Sequence, residues 1–95
     1  MRITDIIWKE RYVEKLISKH SVSMDEAEDV VLYQPLVRKI AKGHVRGENV
    51  YSAMGQTRAG RYLIVFFIGK AHNTALPISA RDMDESERRY YERHR

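Results

Sequence analysis

The sequence predicts an α+β domain with two helices, an antiparallel sheet of about four strands and a third helix, in that order along the chain. Two observations indicate this class. Apolar residues recur at helical spacing before Pro35 and at strand spacing from Leu36 onward. Turns rich in glycine and asparagine also separate four strand-length segments after Leu36. The 95 residues have surface for one core, so we expect a single compact domain over residues 1–95.

The first helix is predicted from Lys9 to Lys19, after a short strand within the segment DIIW at residues 5–8. A stripe of helical period is expected to face the core, and it comprises Trp8, Tyr12, Val13, Leu16 and Ile17. We interpret Trp8 as a packing anchor for this helix rather than as a binding platform.

The other two helices are predicted to begin at capping boxes, in which two residues three apart bond to each other's backbone N–H groups. Ser23 and Glu26 have this spacing at the start of the second helix, and Pro35 ends that helix. Asp84 and Glu87 have it at the start of the last helix. The last helix is polar, and its expected contacts to the body of the domain are Tyr90 and Tyr91.

Between these helices lie four strand-length segments, at residues 36–42, 48–56, 61–69 and 74–81. The third is apolar on both faces, which predicts a central strand covered by helices. In the fourth, alternation directs Arg81 to the face opposite Leu76, Ile78 and Ala80. Pro77 has no N–H to donate to a neighbouring strand, so this strand is expected to be an edge strand or a bulged one.

Composition excludes several classes of protein. The chain has no cysteine, which excludes disulfides and thiol nucleophiles. Its longest apolar run, YLIVFFI, is too short to span a bilayer, and its N-terminus lacks the features of a secretory signal. We therefore expect a cytoplasmic protein without membrane association.

Positive charge is concentrated in the middle of the chain. Residues 35–81 contain eight Lys and Arg but one Glu, whereas the flanking segments are slightly acidic. A basic block of this kind favours a polyanion as partner, most simply a phosphate backbone. The alternative is a sheet face whose charges serve only solubility.

The residue types point to phosphate chemistry carried by side chains. The four histidines lack the spacing of metal ligands, and no Walker loop or dinucleotide motif is present, so no cofactor and no metal site are expected. RNA cleavage without a metal needs a base, a proton donor and a cation that stabilises the phosphorane. Arginine suits the last role because its planar fork holds two phosphate oxygens at once. The candidates are Arg38, Arg46, Arg58, Arg61 and Arg81.

For Arg81 and His20, a purely structural role is the alternative to a role in RNA cleavage. Arg81 is equally well placed for phosphate and for an ion pair with the acidic start of the last helix. His20 closes the first helix next to Lys19, where a cation favours the negative end of the helix, so a capping role stands beside a catalytic one.

Several motifs resemble the BrnT family of bacterial toxins from type II toxin–antitoxin pairs. The most specific are KH-x-V-x-x-x-E from Lys19 to Glu26, GRYLIVFF from Gly60 to Phe67, and ISAR at residues 78–81 followed by ERRYYE. They occur in the family's order and cover nearly the whole chain.

The resemblance implies a RelE-like fold and a metal-independent ribonuclease that arrests translation. It also implies RNA as substrate and a ribbon-helix-helix antitoxin as partner, with ribosome association left open. It favours Arg81, Arg61 and His20 as catalytic residues. The residues then expected to bind nucleic acid are Lys19, Arg38, Lys42, Arg46 and Arg58.

This chain departs from the family pattern before the ISAR motif. The resemblance implies an arginine shortly before this motif, as in many members of the family, where this chain has Leu76 and Pro77. The loss of a cation there is compatible with a weaker grip on phosphate, a shifted RNA preference or an inactive relative. A domain that binds nucleic acid without cleaving it is therefore the alternative function.

Overall fold

A computed structural model describes residues 1–43 and 46–95 of the chain. The loop histidine His44 lies outside the described residues. The elements in chain order are β1 (Asp5–Ile6), α1 (Glu10–His20), α2 (Met24–Leu32), β2 (Leu36–Ala41), β3 (Val50–Gln56), β4 (Tyr62–Lys70), β5 (Thr74–Asp82) and α3 (Glu85–His94). This order confirms the predicted α+β class.

The strands form one five-stranded sheet in the order β1-β5-β4-β3-β2. The four long strands pair antiparallel, as predicted, whereas β1 adds a two-residue parallel edge beside β5. The sheet is therefore mixed. The apolar strand β4 lies in the centre, as its sequence predicts.

Helices cover the two faces of the sheet unequally. On the helix-pair face, α1 and α2 pack over the larger core, in which Leu16, Val30, Leu63 and Phe67 are almost fully buried. On the other face, which we name the α3 face, Tyr91 from α3 packs with Met54 and Ile64. One short helix covers less of a sheet than two do, so the α3 face is the more accessible of the two.

The helix boundaries follow the predicted signals. Both capping boxes form, with Ser23 and Glu26 opening α2 and Asp84 and Glu87 opening α3. Trp8 is half-buried against the larger core, and Leu16 is buried. The prediction for Ile17 was wrong, because its side chain is 55% exposed on the outer side of α1.

A bulge in β5 changes the direction of the side chains on that strand. Phe66 pairs with Ser79 and Phe67 with Pro77, so Ile78 is an extra residue without a partner in β4. The strand is thus bulged, as Pro77 suggested, but it is not an edge strand. Beyond the bulge the alternation is shifted by one residue.

The shift corrects the predicted orientation of Arg81. Arg81 pairs with Ile64 and Leu76 pairs with Ile68, and both of these β4 residues face α3. Arg81 therefore shares a face with Leu76, whereas the sequence placed them on opposite faces. Ala80 does lie on the other face, as predicted, within the larger core.

Among the described residues, no helix has both the length and the apolar composition needed to cross a membrane.

Candidate nucleic-acid interface

Arg81 is held on the α3 face by an ion pair with Glu87. Its Nη1 and Nη2 donate to the two carboxylate oxygens at 2.6 and 2.8 Å, and Nη1 also donates to the backbone oxygen of Asp82 at 3.2 Å. A guanidinium has five N–H donors. Among the described residues nothing accepts from Nε–H or from the second Nη2 hydrogen, so one side of the fork is open.

The start of α3 sets the position of Glu87. Its Oε1 accepts from the backbone N–H of Asp84 at 2.9 Å, and its own N–H donates to the Asp84 carboxylate at 2.7 Å. The hydrogen bonds from Arg81 lower the pKa of Glu87, so the carboxylate stays charged at neutral pH. One carboxylate thus closes the helix cap and orients the arginine.

A second arginine lies on the same face. Arg38 on β2 stacks over the ring of Tyr90, with 4.5 Å between its Cζ and the ring centroid. Arg81 lies over the ring of Phe66 in the same way, at 5.6 Å. β2 and β5 are three strand spacings apart, so the backbones that carry the two arginines are separated by about 14 Å.

This arrangement combines cations with flat aromatic rings. Phosphates require cations, and unpaired bases stack on aromatic rings, so the α3 face has the two components of a single-stranded RNA site. The side chain of Arg81 is 37% exposed, which leaves it within reach of a ligand.

Arg61 has a different environment, on the helix-pair side of the same end of the sheet. Its Nε and Nη2 donate to the Asp82 carboxylate at 2.7 and 3.3 Å, and Nη1 reaches the Glu26 carboxylate at 3.1 Å. It also donates to the last carbonyls of α1, those of His20 at 3.1 Å and Ser21 at 2.9 Å. All five donors are used, so none is left for a phosphate in this arrangement.

Asp82 bonds two of the predicted catalytic residues and lies near the third. Its carboxylate bonds Arg61, its backbone oxygen bonds Arg81, and its pKa is lowered first by Arg61 and also by the nearby charge of His20. The structure thus brings His20, Arg61 and Arg81 to one end of the sheet. Of the acidic residues at the start of the last helix, Glu87 is the one whose side chain orients Arg81.

The remaining predicted basic residues do not form one patch. Lys19 is exposed in the last turn of α1, near His20. Arg58 donates to Asp29 and to the Tyr33 hydroxyl, on the outer side of α2. Lys42 and Arg46 are exposed between β2 and β3, at the end of the sheet opposite Arg81. The basic block in the sequence is therefore spread over several surfaces.

The sequence offered the acidic start of the last helix as an ion-pair partner of Arg81 without singling out Glu87, and it missed Phe66 and Tyr90 as neighbours of the arginines. The capping-box spacing of Asp84 and Glu87 was visible, but it indicated a helix start and not a partner for Arg81. Phe66 and Tyr90 read as core residues, because period alone does not tell which apolar side chains border an open face.

Within the described part of the chain, no three His, Asp or Glu side chains are grouped to hold a metal ion.

Comparison with known proteins gives one family and one fold. The family model for the ribonuclease toxin BrnT of type II toxin–antitoxin systems matches residues 8–87. The crystal structure of the Brucella abortus ribonuclease toxin BrnT is similar, with a TM-score of 0.59 and 19% identity over 86% of this chain and 100% of that chain. At this identity the likeness shows the fold. No curated protein matches the sequence.

Proposed function

Because this chain belongs to the BrnT family of ribonuclease toxins of type II toxin–antitoxin systems, we propose that it cleaves RNA without a metal ion in the bacterial cytoplasm. Cleavage of this RNA inhibits translation, and a cognate ribbon-helix-helix antitoxin neutralises the enzyme. The α3 face is the surface that binds the RNA.

The observation that supports this proposal is that only some of the N–H donors of the Arg81 guanidinium are bonded to described residues. Glu87 holds one edge of the fork at 2.6 and 2.8 Å, which fixes its orientation, while Nε–H and one Nη2 hydrogen point away from that partner. Two parallel donors on a fixed cation match two oxygens of a phosphate. Donors positioned before the reaction stabilise developing charge without reorganisation.

In the proposed reaction the 2′-oxygen of the RNA attacks the adjacent phosphorus, and the bond from phosphorus to the 5′-oxygen breaks. Arg81 stabilises the added negative charge on the phosphorane oxygens. A base takes the 2′-hydroxyl proton, and the leaving 5′-oxygen receives a proton. His20 at the same end of the sheet, or a water molecule, is the base. The products are a 2′,3′-cyclic phosphate and a 5′-hydroxyl.

Arg61 acts in this proposal as a positioning residue. Its hydrogen bonds tie the end of α1, where His20 lies, to Asp82 at the end of β5. Arg61 therefore affects the site through the placement of these neighbours.

The direct test uses purified protein with single-stranded RNA and with ribosome-bound RNA, in buffer containing EDTA. We expect cleavage to continue in EDTA and the upstream fragments to end in 2′,3′-cyclic phosphate. If both RNA substrates stay intact and cells that express the protein grow normally, the proposed ribonuclease activity is wrong.

The second candidate is a family member that binds RNA without cleaving it. One observation favours it: Leu76, one of the two residues that stand where the family resemblance implies an arginine, lies on the α3 face and is only 4% exposed. At this position the α3 face has a buried apolar side chain and not a cation. This candidate predicts RNA affinity that falls steeply with salt and no strand cleavage.

A further inference from the structure

The interior strand β3 contains a buried hydroxyl that has no hydrogen-bond partner among the described residues. Ser52 is 1% exposed, and its Oγ forms no hydrogen bond with any described residue. A serine hydroxyl has one hydrogen to donate and two lone pairs. Buried polar groups in native proteins almost always have a partner, so an exception needs a physical explanation.

Ser52 lies between the arginines of the α3 face. It is two residues from Met54, which packs against α3, so alternation places both side chains on that face. In the sheet register Ser52 is opposite Arg38 on one side and opposite Phe66 on the other. Directly opposed side chains in a sheet are neighbours, with Cβ atoms about 5 Å apart.

Both neighbours of Ser52 have flat groups that suit a nucleobase. Phe66 is half-buried beneath the Arg81 guanidinium, and Arg38 is exposed and stacks on Tyr90. Exposed side chains change rotamer within nanoseconds, so Arg38 can move aside without unfolding the sheet. Ser52 is the cross-strand neighbour of both Arg38 and Phe66, so a ligand that takes the place of Arg38 would lie beside Ser52 and Phe66.

We propose that Ser52 is a base-specificity residue of the RNA site, an inference that rests on the proposed function. A base next to the phosphate held by Arg81 stacks on Phe66 and takes the place of the Arg38 side chain. Ser52 Oγ then forms a hydrogen bond with the edge of this base. The hydroxyl is unpaired in the free protein because its partner is the substrate.

The test is Ser52→Ala, which removes one oxygen atom from a site where no described residue forms a hydrogen bond with it. Thermal unfolding should show a melting temperature equal to or higher than that of the wild type, because no bond is lost. The substrates are single-stranded oligoribonucleotides that differ only in the bases beside the cleaved phosphate. The base preference is the ratio of kcat/KM for the best base to kcat/KM for the worst. In Ser52→Ala this ratio should be roughly 3- to 10-fold smaller than in the wild type, because one hydrogen bond contributes about that factor.

Two further variants separate the possible results. Ser18→Ala, on the exposed side of α1, should leave both the melting temperature and the base preference unchanged. Arg81→Ala should lose cleavage on every substrate. If Arg81→Ala is inactive while Ser52→Ala keeps the wild-type base preference, the role of Ser52 is refuted and the proposed function stands. If the wild type cleaves none of the substrates, both proposals fail.

Discussion

Arg81 and Glu87 form an ion pair in which two guanidinium nitrogens each contact one carboxylate oxygen, at 2.6 and 2.8 Å. The pair joins the end of β5 to the first turn of α3 across six residues of chain. Glu87 is only 19% exposed, and the backbone of Asp84 holds it as well. The arginine is therefore fixed in direction while one edge of its fork stays open.

Replacement of Arg81 should remove most of the catalytic activity. Arg81→Ala is expected to lower kcat for RNA cleavage by about 10²- to 10³-fold, the usual cost of losing a positioned donor that stabilises developing charge. Arg81→Lys should recover only part of this loss, since an ammonium group cannot offer two parallel donors. The measurement is single-turnover cleavage of an oligoribonucleotide.

Arg89→Ala is the matched control for Arg81→Ala. Arg89 also carries one positive charge, but it is 63% exposed on α3, and among the described residues its ion-pair partner is Glu85 alone. Its loss should change cleavage by less than about threefold. An equal loss in both variants would mean that net charge matters and the placement of Arg81 does not.

Glu87 should matter for catalysis beyond its role in capping α3. Asp84→Ala removes the N-cap side chain, and Glu87→Gln replaces the N3 carboxylate with an amide, so both change the capping box. The amide oxygen still accepts from the Asp84 N–H, so Asp84→Ala should cost the more stability. Only Glu87→Gln also removes the charged partner of Arg81, so it should lower kcat more than Asp84→Ala does. Equal activity of the two variants at matched stability would contradict a positioning role for Glu87.

Arg61 is expected to contribute mainly to stability. Arg61→Met leaves the Glu26 and Asp82 carboxylates without their cation, and it should lower the free energy of unfolding in urea by about 2–3 kcal/mol. Arg58→Met, at a side chain 78% exposed, should cost much less than Arg61→Met, because exposed ion pairs contribute little to stability. A stable but inactive Arg61→Met protein would instead assign Arg61 to the reaction itself.

Acid should destabilise the fold through three paired carboxylates. Interactions with Ser23 and Arg61 lower the pKa of Glu26 in the folded state, Arg61 lowers that of Asp82, and Arg81 lowers that of Glu87. The unfolded chain then binds protons at a higher pH than the folded chain does. Stability is thus full above the ordinary pKa values of 4.5 for Glu and 3.8 for Asp, and it is lost as pH falls below them.

Urea denaturation between pH 6 and pH 3 checks this pH dependence. The free energy of unfolding should fall steadily below about pH 5. Because Arg61 is the largest cause of the shift in Asp82, Arg61→Met should show a shallower fall over the same range. An identical slope in both proteins would mean that other carboxylates govern acid unfolding.

Much of the fold was predictable because its determinants are close together in the sequence. The capping boxes at Ser23 and Asp84 need partners only three residues away, and both form as predicted. The continuous apolar run of β4 indicated a central strand, and β4 is central. Local patterns of this kind reflect hydrogen bonds and burial within one element, so they can be read without coordinates.

The orientation of Arg81 was only partly predictable. Strict alternation along β5 placed it opposite Leu76, but the extra residue Ile78 shifts the alternation and puts both on the α3 face. Pro77 suggested either an edge strand or a bulge, and pairing with β4 on one side and β1 on the other decided between them. Register depends on the neighbouring strands, which the sequence of β5 does not contain.

By itself the sequence determined the order of elements, the family motifs and the candidate arginines. Only the tertiary structure decided which arginine keeps free donors. Arg61 and Arg81 are chemically identical, but Arg61 meets carboxylates and carbonyls from residues 21 to 41 positions away in the chain. Arg81 meets one carboxylate six residues away and the backbone oxygen of the next residue. The difference arises from long-range packing, which brings acceptors together irrespective of their distance in the sequence.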